Sequence, residues 1–205
     1  MPDIKLIEDA DDGAITTWLA EHLRAALAVS AEIAVSVPGG STPFPIFDRL
    51  ARVNLPWQRI SVWPGDDRIV PEDHPASNVG KIRARLEPAG ARIVPLTRDA
   101  QPPHFAIAWL GMGADGHVAS LFPNTDPRAD DRLAVRQLTP DPLPPEAPFD
   151  RLTLTIPSLV DSDEMVFVIR GADKRTVFEA AMKGERDLPI TRLLKAARHK
   201  VTCFC

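Results

Sequence analysis

Along residues 14–28 (AITTWLAEHLRAALA), Ile15, Trp18, Leu19, Leu23 and Leu27 recur at helical spacing behind Asp12, which predicts an amphipathic helix capped by that aspartate. The pattern then changes. Residues 32–38 (EIAVSVP) form a short apolar run ending at Gly39-Gly40, and PFPIFDRLARV beyond it returns to helical spacing. Strand, glycine turn and helix thus follow one another, and the order recurs. RISVWPG (59–65) leads through a polar loop to SNVGKIRARLEP, and HFAIAWLG (104–111) runs into MGADGHVASLF. EMVFVIRG (164–171) precedes ADKRTVFEAAMKG, a helix started by Asp173 or a neighbour, and the chain closes with a helix in PITRLLKAA and a strand in HKVTCFC.

Runs of four to seven residues, rich in Val and Ile and without clean alternation, are what a parallel sheet buried on both faces requires. Their alternation with helices makes the fold class α/β. An open, doubly wound, mostly parallel sheet fits 205 residues better than an eight-fold barrel, which needs about 250. No repeat and no shift in composition divides the chain, so residues 1–205 are expected to be one domain. The proline cluster in 140–148 (PDPLPPEAP) reads as a loop, because strand-like RLTLTIP resumes at once.

Charge narrows the function. Lys+Arg 24 against Asp+Glu 28 gives net −4, and no run of five like charges occurs, so the footprint of a general nucleic-acid binder is missing. An anionic ligand therefore needs a local basic pocket. The opening MPDIKLIEDADD is acidic and lacks an apolar leader, and no stretch approaches eighteen apolar residues, so a cytoplasmic enzyme or binding protein is expected. Cys203 and Cys205 match no common zinc spacing and read as apolar residues of a last strand.

In open parallel sheets the ligand crevice lies beyond the carboxyl ends of the strands, and there the polar residues gather. After the first run come Gly39, Gly40, Ser41, Thr42 and Pro43, which suit either a phosphate cradle of backbone amides and hydroxyls or a plain capped helix entry. After the second come Asp66, Asp67 and Arg68, then His74, Ser77 and Asn78. Arg68 can fork two oxygens of a phosphate or sugar acid, and the alternative is a solvated loop. The third run ends in Gly111-Met112-Gly113-Ala114-Asp115-Gly116-His117, where three glycines in six residues force a tight path and present a histidine able to take a proton near neutral pH. The bland alternative is a glycine turn with a packed histidine. Pro123 interrupts any crossover helix after GMGADG, which argues against a nicotinamide cofactor. Arg151 and Lys174 are each either surface charges or, with Arg68 and the GGST loop, partners for a phosphate dianion.

VPGGSTP (37–43), DDRIVPEDHPASN (66–78), LGMGADGHVASLFP (110–123) and RLTLT with Gly171 and Lys174 together resemble the compact bacterial 6-phosphogluconolactonase family, whose wider relatives are the glucosamine-6-phosphate deaminases. The resemblance implies a Rossmann-like fold with helices on both faces of the sheet, no metal or cofactor, and hydrolysis of 6-phospho-D-glucono-1,5-lactone to 6-phosphogluconate in the pentose phosphate pathway. The implied partner is that small phosphorylated lactone, with neither nucleic acid nor membrane, and members are monomers or small homo-oligomers. The deaminases carry a glutamate where this chain has Phe122, which favours the lactonase branch. Asp67 stands where the family more often has glutamate, and loops around 97–104 and 123–130 are short. By the resemblance His117 is the general base, Asp115 its orienting partner and Asp66 a rival for a second polar role. Arg68 or amides of the Gly111–Gly116 turn face the carbonyl, and Gly40, Ser41, Thr42, Arg151 and Lys174 hold the phosphate. Gly39, Asn78 and Gly113 complete the implied substrate-binding set. A non-catalytic sugar-phosphate sensor is the rival from another class, and the chain offers no helix-turn-helix or basic segment for it to act through.

Overall fold

A computed structural model describes residues 2–142 and 148–205. The elements in chain order are β1 (Ile4–Ile7), α1 (Asp12–Val29), β2 (Ile33–Val37), α2 (Phe44–Leu50), β3 (Ile60–Pro64), β4 (Asp66–Arg68), α3 (Asn78–Leu86) and β5 (Arg92–Ile93). There follow β6 (Ile107–Leu110), β7 (Val135–Leu138), β8 (Arg151–Leu154), α4 (Ile156–Val160), β9 (Glu164–Val168), α5 (Ala172–Lys183), α6 (Pro189–Ala196) and β10 (Lys200–Phe204).

The main sheet runs β1-β10-β9-β6-β2-β3-β5, and all its pairings are parallel. Its central strands β2 and β6 are buried on both faces because consecutive side chains enter different cores. Ile107 and Trp109 of β6 join the cluster under α1, α2 and α3, whereas Ala108 and Leu110 join the one formed with α4, α5 and α6. That explains the continuous apolar runs in the sequence. From β2 the chain moves outward to β3 and β5, then returns to lay β6 on the other side of β2. The switch in winding lies between β2 and β6, where the carboxyl ends of neighbouring strands diverge and leave a crevice.

Four features depart from the sequence reading. The acidic opening segment contains β1, paired with β10 at the sheet edge. Asp11, not Asp12, caps α1: its backbone is extended and its carboxylate accepts from Ala14 N at 2.7 Å, while Asp12 is already helical. RLTLT forms a strand, β8, but in a second, antiparallel sheet of order β4-β8-β7. Gly65 ties that sheet to the first, donating to Val37 O and accepting from Leu154 N, both at 2.9 Å. No α-helix lies between β6 and β7. Residues 111–122 instead fold back through bridges between Met112 and Val118 and between Val118 and Leu121, with Gly116 at φ 80° and Ala119 at φ 52°. At the start of α5 Gly171 takes the cap position without a side-chain bond, and Asp173 lies in the first turn. Of the proline-rich segment, residues 143–147 lie outside the described residues.

Candidate active site

A cleft of about 280 Å³ opens at the switch point. The loop after β2 supplies Gly39, Gly40, Ser41 and Thr42, β4 supplies Asp66 and Arg68, and the start of α3 supplies Asn78. The loop after β6 adds Gly113 and His117, and the first turn of α5 adds Lys174. Ten of the twelve residues singled out in the sequence thus share one cleft. Asp115 stands behind its rim and bonds to His117. Arg151 is the exception: it is buried in β8 across from Arg68 and does not line the cleft. Burial, with the Arg68 charge alongside, lowers its guanidinium pKa.

The tight path after β6 is built around the histidine. Gly113 N donates to His117 O at 2.9 Å and Gly116 N to Gly113 O at 3.1 Å, which closes the turn. Asp115 Oδ1 accepts from the His117 backbone N–H at 3.2 Å and lies 2.6 Å from the ring Nδ1. A carboxylate at this distance accepts, so Nδ1 carries the proton and Nε2 is left as the ring's acceptor. The hydrogen bond to His117 holds the Asp115 carboxyl below its ordinary value, against the opposing effect of burial. Phe122 closes the other side of the imidazole, ring centroids 4.8 Å apart. Gly113 is required by this packing: a Cβ there would lie 2.2 Å from both Cε1 and Nδ1 of His117.

A second network crosses the cleft floor. Asn78 Nδ2 donates to Asp66 O at 2.8 Å, and Asn78 Oδ1 accepts from Arg68 Nη1 at 2.5 Å. Arg68 Nη1 also donates to Ala76 O at 3.0 Å, whereas its buried Nε has no hydrogen-bond partner among the described residues. Ser120 Oγ donates to Asp66 Oδ2. The Asn78 amide is therefore committed to its neighbours, and it shapes the floor rather than reaching outward. Gly39 is bare because Asn78 fills its space; a Cβ would meet Asn78 Cγ at 2.1 Å. Lys174 forms no hydrogen bond or ion pair among the described residues. His74 turns inward, its Nδ1 accepting from Ala76 N at 3.0 Å and its ring packed edge-on to Phe149.

Sequence reasoning gave no task to Asp67 or Ser120 and missed the apolar wall of Trp109, Met112 and Val168. The wall was readable in part, since these residues end or follow β6 and β9. The tie between Ser120 and Asp66 spans 54 residues and leaves no local signal. Among the described residues no cluster of three or more His, Cys, Asp or Glu side chains is placed to hold a metal, and no helix is long and apolar enough to cross a membrane.

Residues 9–101 and 89–203 match the model of the family described as glucosamine-6-phosphate isomerases/6-phosphogluconolactonase. A 6-phosphogluconolactonase of Caulobacter vibrioides is 35% identical over 92% of this chain and 86% of its own. One of Pseudomonas aeruginosa is 34% identical over 87% of this chain and 84% of its own. The crystal structure of 6-phosphogluconolactonase from Thermotoga maritima superposes with a TM-score of 0.83 at 26% identity, covering 100% of this chain and 99% of that one. The parallel sheet with its switch-point cleft and this similarity along nearly the whole chain lead to one assignment: the chain belongs to the glucosamine-6-phosphate isomerase/6-phosphogluconolactonase family, and within it to the 6-phosphogluconolactonases.

Proposed function

We propose that the cleft hydrolyses 6-phospho-D-glucono-1,5-lactone to 6-phospho-D-gluconate, with His117 as the general base. The observation that carries the reading is the His117–Asp115 pair: a ring held by Nδ1 at 2.6 Å, in a cleft wall, with Nε2 left to accept a proton. Water gives its proton to Nε2 and its oxygen to the lactone C1. The tetrahedral intermediate then expels the ring oxygen, which takes a proton back from the imidazolium. The open-chain acid ionises and releases one proton. Gly113 N and Gly116 N are already bonded within their turn, so Arg68 is the better donor toward the carbonyl oxygen as charge develops there. Gly40, Ser41, Thr42 and Lys174 take the phosphate, a handle whose binding energy positions the carbonyl.

Phe122 argues against the isomerase chemistry of the wider family, because an apolar ring stands beside His117 where that chemistry places a carboxylate. The reading takes residues 1–205 as one catalytic domain that needs no cofactor, acting in the cytoplasm as a monomer or small homo-oligomer. Its test is proton release from freshly generated lactone at slightly acidic pH, against the uncatalysed background. His117→Ala should lower turnover by about 10²–10⁴-fold with little loss of 6-phosphogluconate affinity, and Lys174→Ala should mainly raise KM. Equal effects of both substitutions on both quantities would overturn this division of labour. No acceleration by folded wild type would leave a sugar-phosphate sensor.

A further inference from the structure

Strand β4 alternates. Asp66 and Arg68 face the cleft, while Asp67 points the other way into the protein and is 7% exposed. A buried carboxylate is expensive unless its lone pairs are filled, and here they are. Oδ1 accepts from the backbone N–H of Arg68 at 2.7 Å and of Asn78 at 2.6 Å, and Oδ2 accepts from Val79 N at 2.9 Å and Ser77 Oγ at 3.5 Å. Asn78 and Val79 are the first two residues of α3, whose opening amides have no partner within the helix. Ser77 caps Gly80 N in the ordinary local way. Asp67 does the rest from another element, and its charge lies at the positive end of the helix.

The consequence appears on the cleft side. With its own N–H clamped to Asp67, Asn78 is fixed at the height where its side chain bridges Asp66 O and Arg68 Nη1. The Asp67 carboxylate likewise holds the Arg68 backbone, and Ala76, just before the capped turn, takes a second bond from the same guanidinium nitrogen. Each bond that fixes the Arg68 head comes from the segment that Asp67 docks. Burial pushes the Asp67 carboxyl up, and the three backbone N–H groups pull it back toward the ionised form.

We propose that Asp67 is a positioning residue for the reaction: by pinning the start of α3 to β4 it sets, through Asn78 and Ala76, where the Arg68 guanidinium stands in the cleft. The assignment rests on the cleft being the lactonase site. Its test is a double-mutant cycle read in lactone hydrolysis, with 6-phosphogluconate binding by calorimetry beside it. Asp67→Asn keeps the shape but turns an N–H toward Val79 N–H, so one clamp fails. We expect kcat/KM to fall about 10-fold, through whichever of KM and kcat Arg68→Met alters, and by less than Arg68→Met. The double variant should be within about 2-fold of Arg68→Met alone, because the two act as a unit. Asp67→Glu, which keeps the charge, should recover most of the loss.

Multiplying effects in the double variant, or an Asp67→Asn enzyme equal to wild type, would overturn the proposal. Wild type that neither hydrolyses the lactone nor binds 6-phosphogluconate would instead sink the functional reading. The positioning role would then be decided by the Arg68 Nε–Hε resonance in NMR spectra, which must move on Asp67→Asn and is unchanged if Asp67 merely stabilises the fold.

Discussion

Gly113→Ala is the substitution that tests the catalytic geometry with least disturbance elsewhere. Gly113 does not occupy the left-handed region, so alanine suits its backbone and the cost lies wholly in what the new methyl meets. It would lie 2.2 Å from Cε1 and Nδ1 of His117 and 2.5 Å from Asp115 Oδ1, where ordinary contact begins near 3.4 Å. All three atoms belong to side chains on the cleft rim, and the imidazole and carboxylate can swing away. Relief requires the ring to retreat by about 1 Å or more, and a misplacement of that size costs on the order of 10²-fold in rate. The same retreat breaks the 2.6 Å bond that fixes the proton on Nδ1. We therefore expect kcat for lactone hydrolysis to fall about 100-fold while 6-phosphogluconate binding and the melting temperature change little. Proton release in a lightly buffered indicator assay gives kcat, and calorimetry gives the affinity. A Gly113→Ala enzyme retaining more than half of wild-type turnover would refute the assignment of His117 in its present orientation as the base.

Two further expectations concern titration away from the cleft. His104 Nδ1 and Nε2 lie 2.7 and 3.0 Å from Asp161 and Asp163, and the bond to Asp161, then that to Asp163, raise its pKa above 6.5. A raised histidine contributes stability that is fully present below 6.5 and lost as pH rises through the folded value. The melting temperature of wild type minus that of His104→Gln should accordingly be larger at pH 6 than at pH 9; screening of these exposed groups limits the effect to under about 1 kcal/mol, or roughly 2–4 °C. A difference that stays flat with pH would discard the clamp. Cys203 is 1% exposed, and burial pushes its thiol up to about 12, so at pH 8 a thiol reagent should label Cys205 alone in native protein and both cysteines in denaturant. Equal labelling rates in native protein would show that the last strand does not pack as described.

The parallel sheet was legible because its cause is local. Each buried strand must be apolar on both sides, and each crossover helix carries its own 3.6-residue stripe, so β2, β3, β6, β9 and α1 all announce themselves within ten or twenty residues. The antiparallel sheet was not. β4 is the triplet Asp66-Asp67-Arg68 and β7 is VRQL, polar segments that become strands because Gly65 hangs them from the first sheet beside β8. Helical expectation failed after β6 for a comparable reason: Val118 and Leu121 stand three apart, as on one face of a helix, but with Met112 they bury themselves through bridges across a loop. That loop passes through Gly116 and Ala119 at positive φ, and no hydrophobic period reports such a backbone.

The cleft shows the same division between what neighbours in sequence dictate and what only the fold brings together. The rule that ligands sit beyond strand ends points to Gly39–Thr42, Arg68 and His117 from the sequence, since it needs only where each apolar run stops. Arg151 came in by the resemblance, as a partner for the phosphate; in the antiparallel β8 that arginine lies buried across from Arg68 and does not line the cleft. Asp67 erred in the opposite direction. Placed between two residues of obvious chemistry, it reads as one more solvated carboxylate, and what it does depends on a helix that begins eleven residues later with two amides that have no partner within the helix. A carboxylate 7% exposed with backbone donors from two elements is held for what it organises, and here that is the pair of side chains, Asn78 and Arg68, on the floor of the cleft. The residues that line the cleft can be inferred in large part from strand ends and residue types. Those that hold them in place became visible only once β4 and α3 were docked against each other.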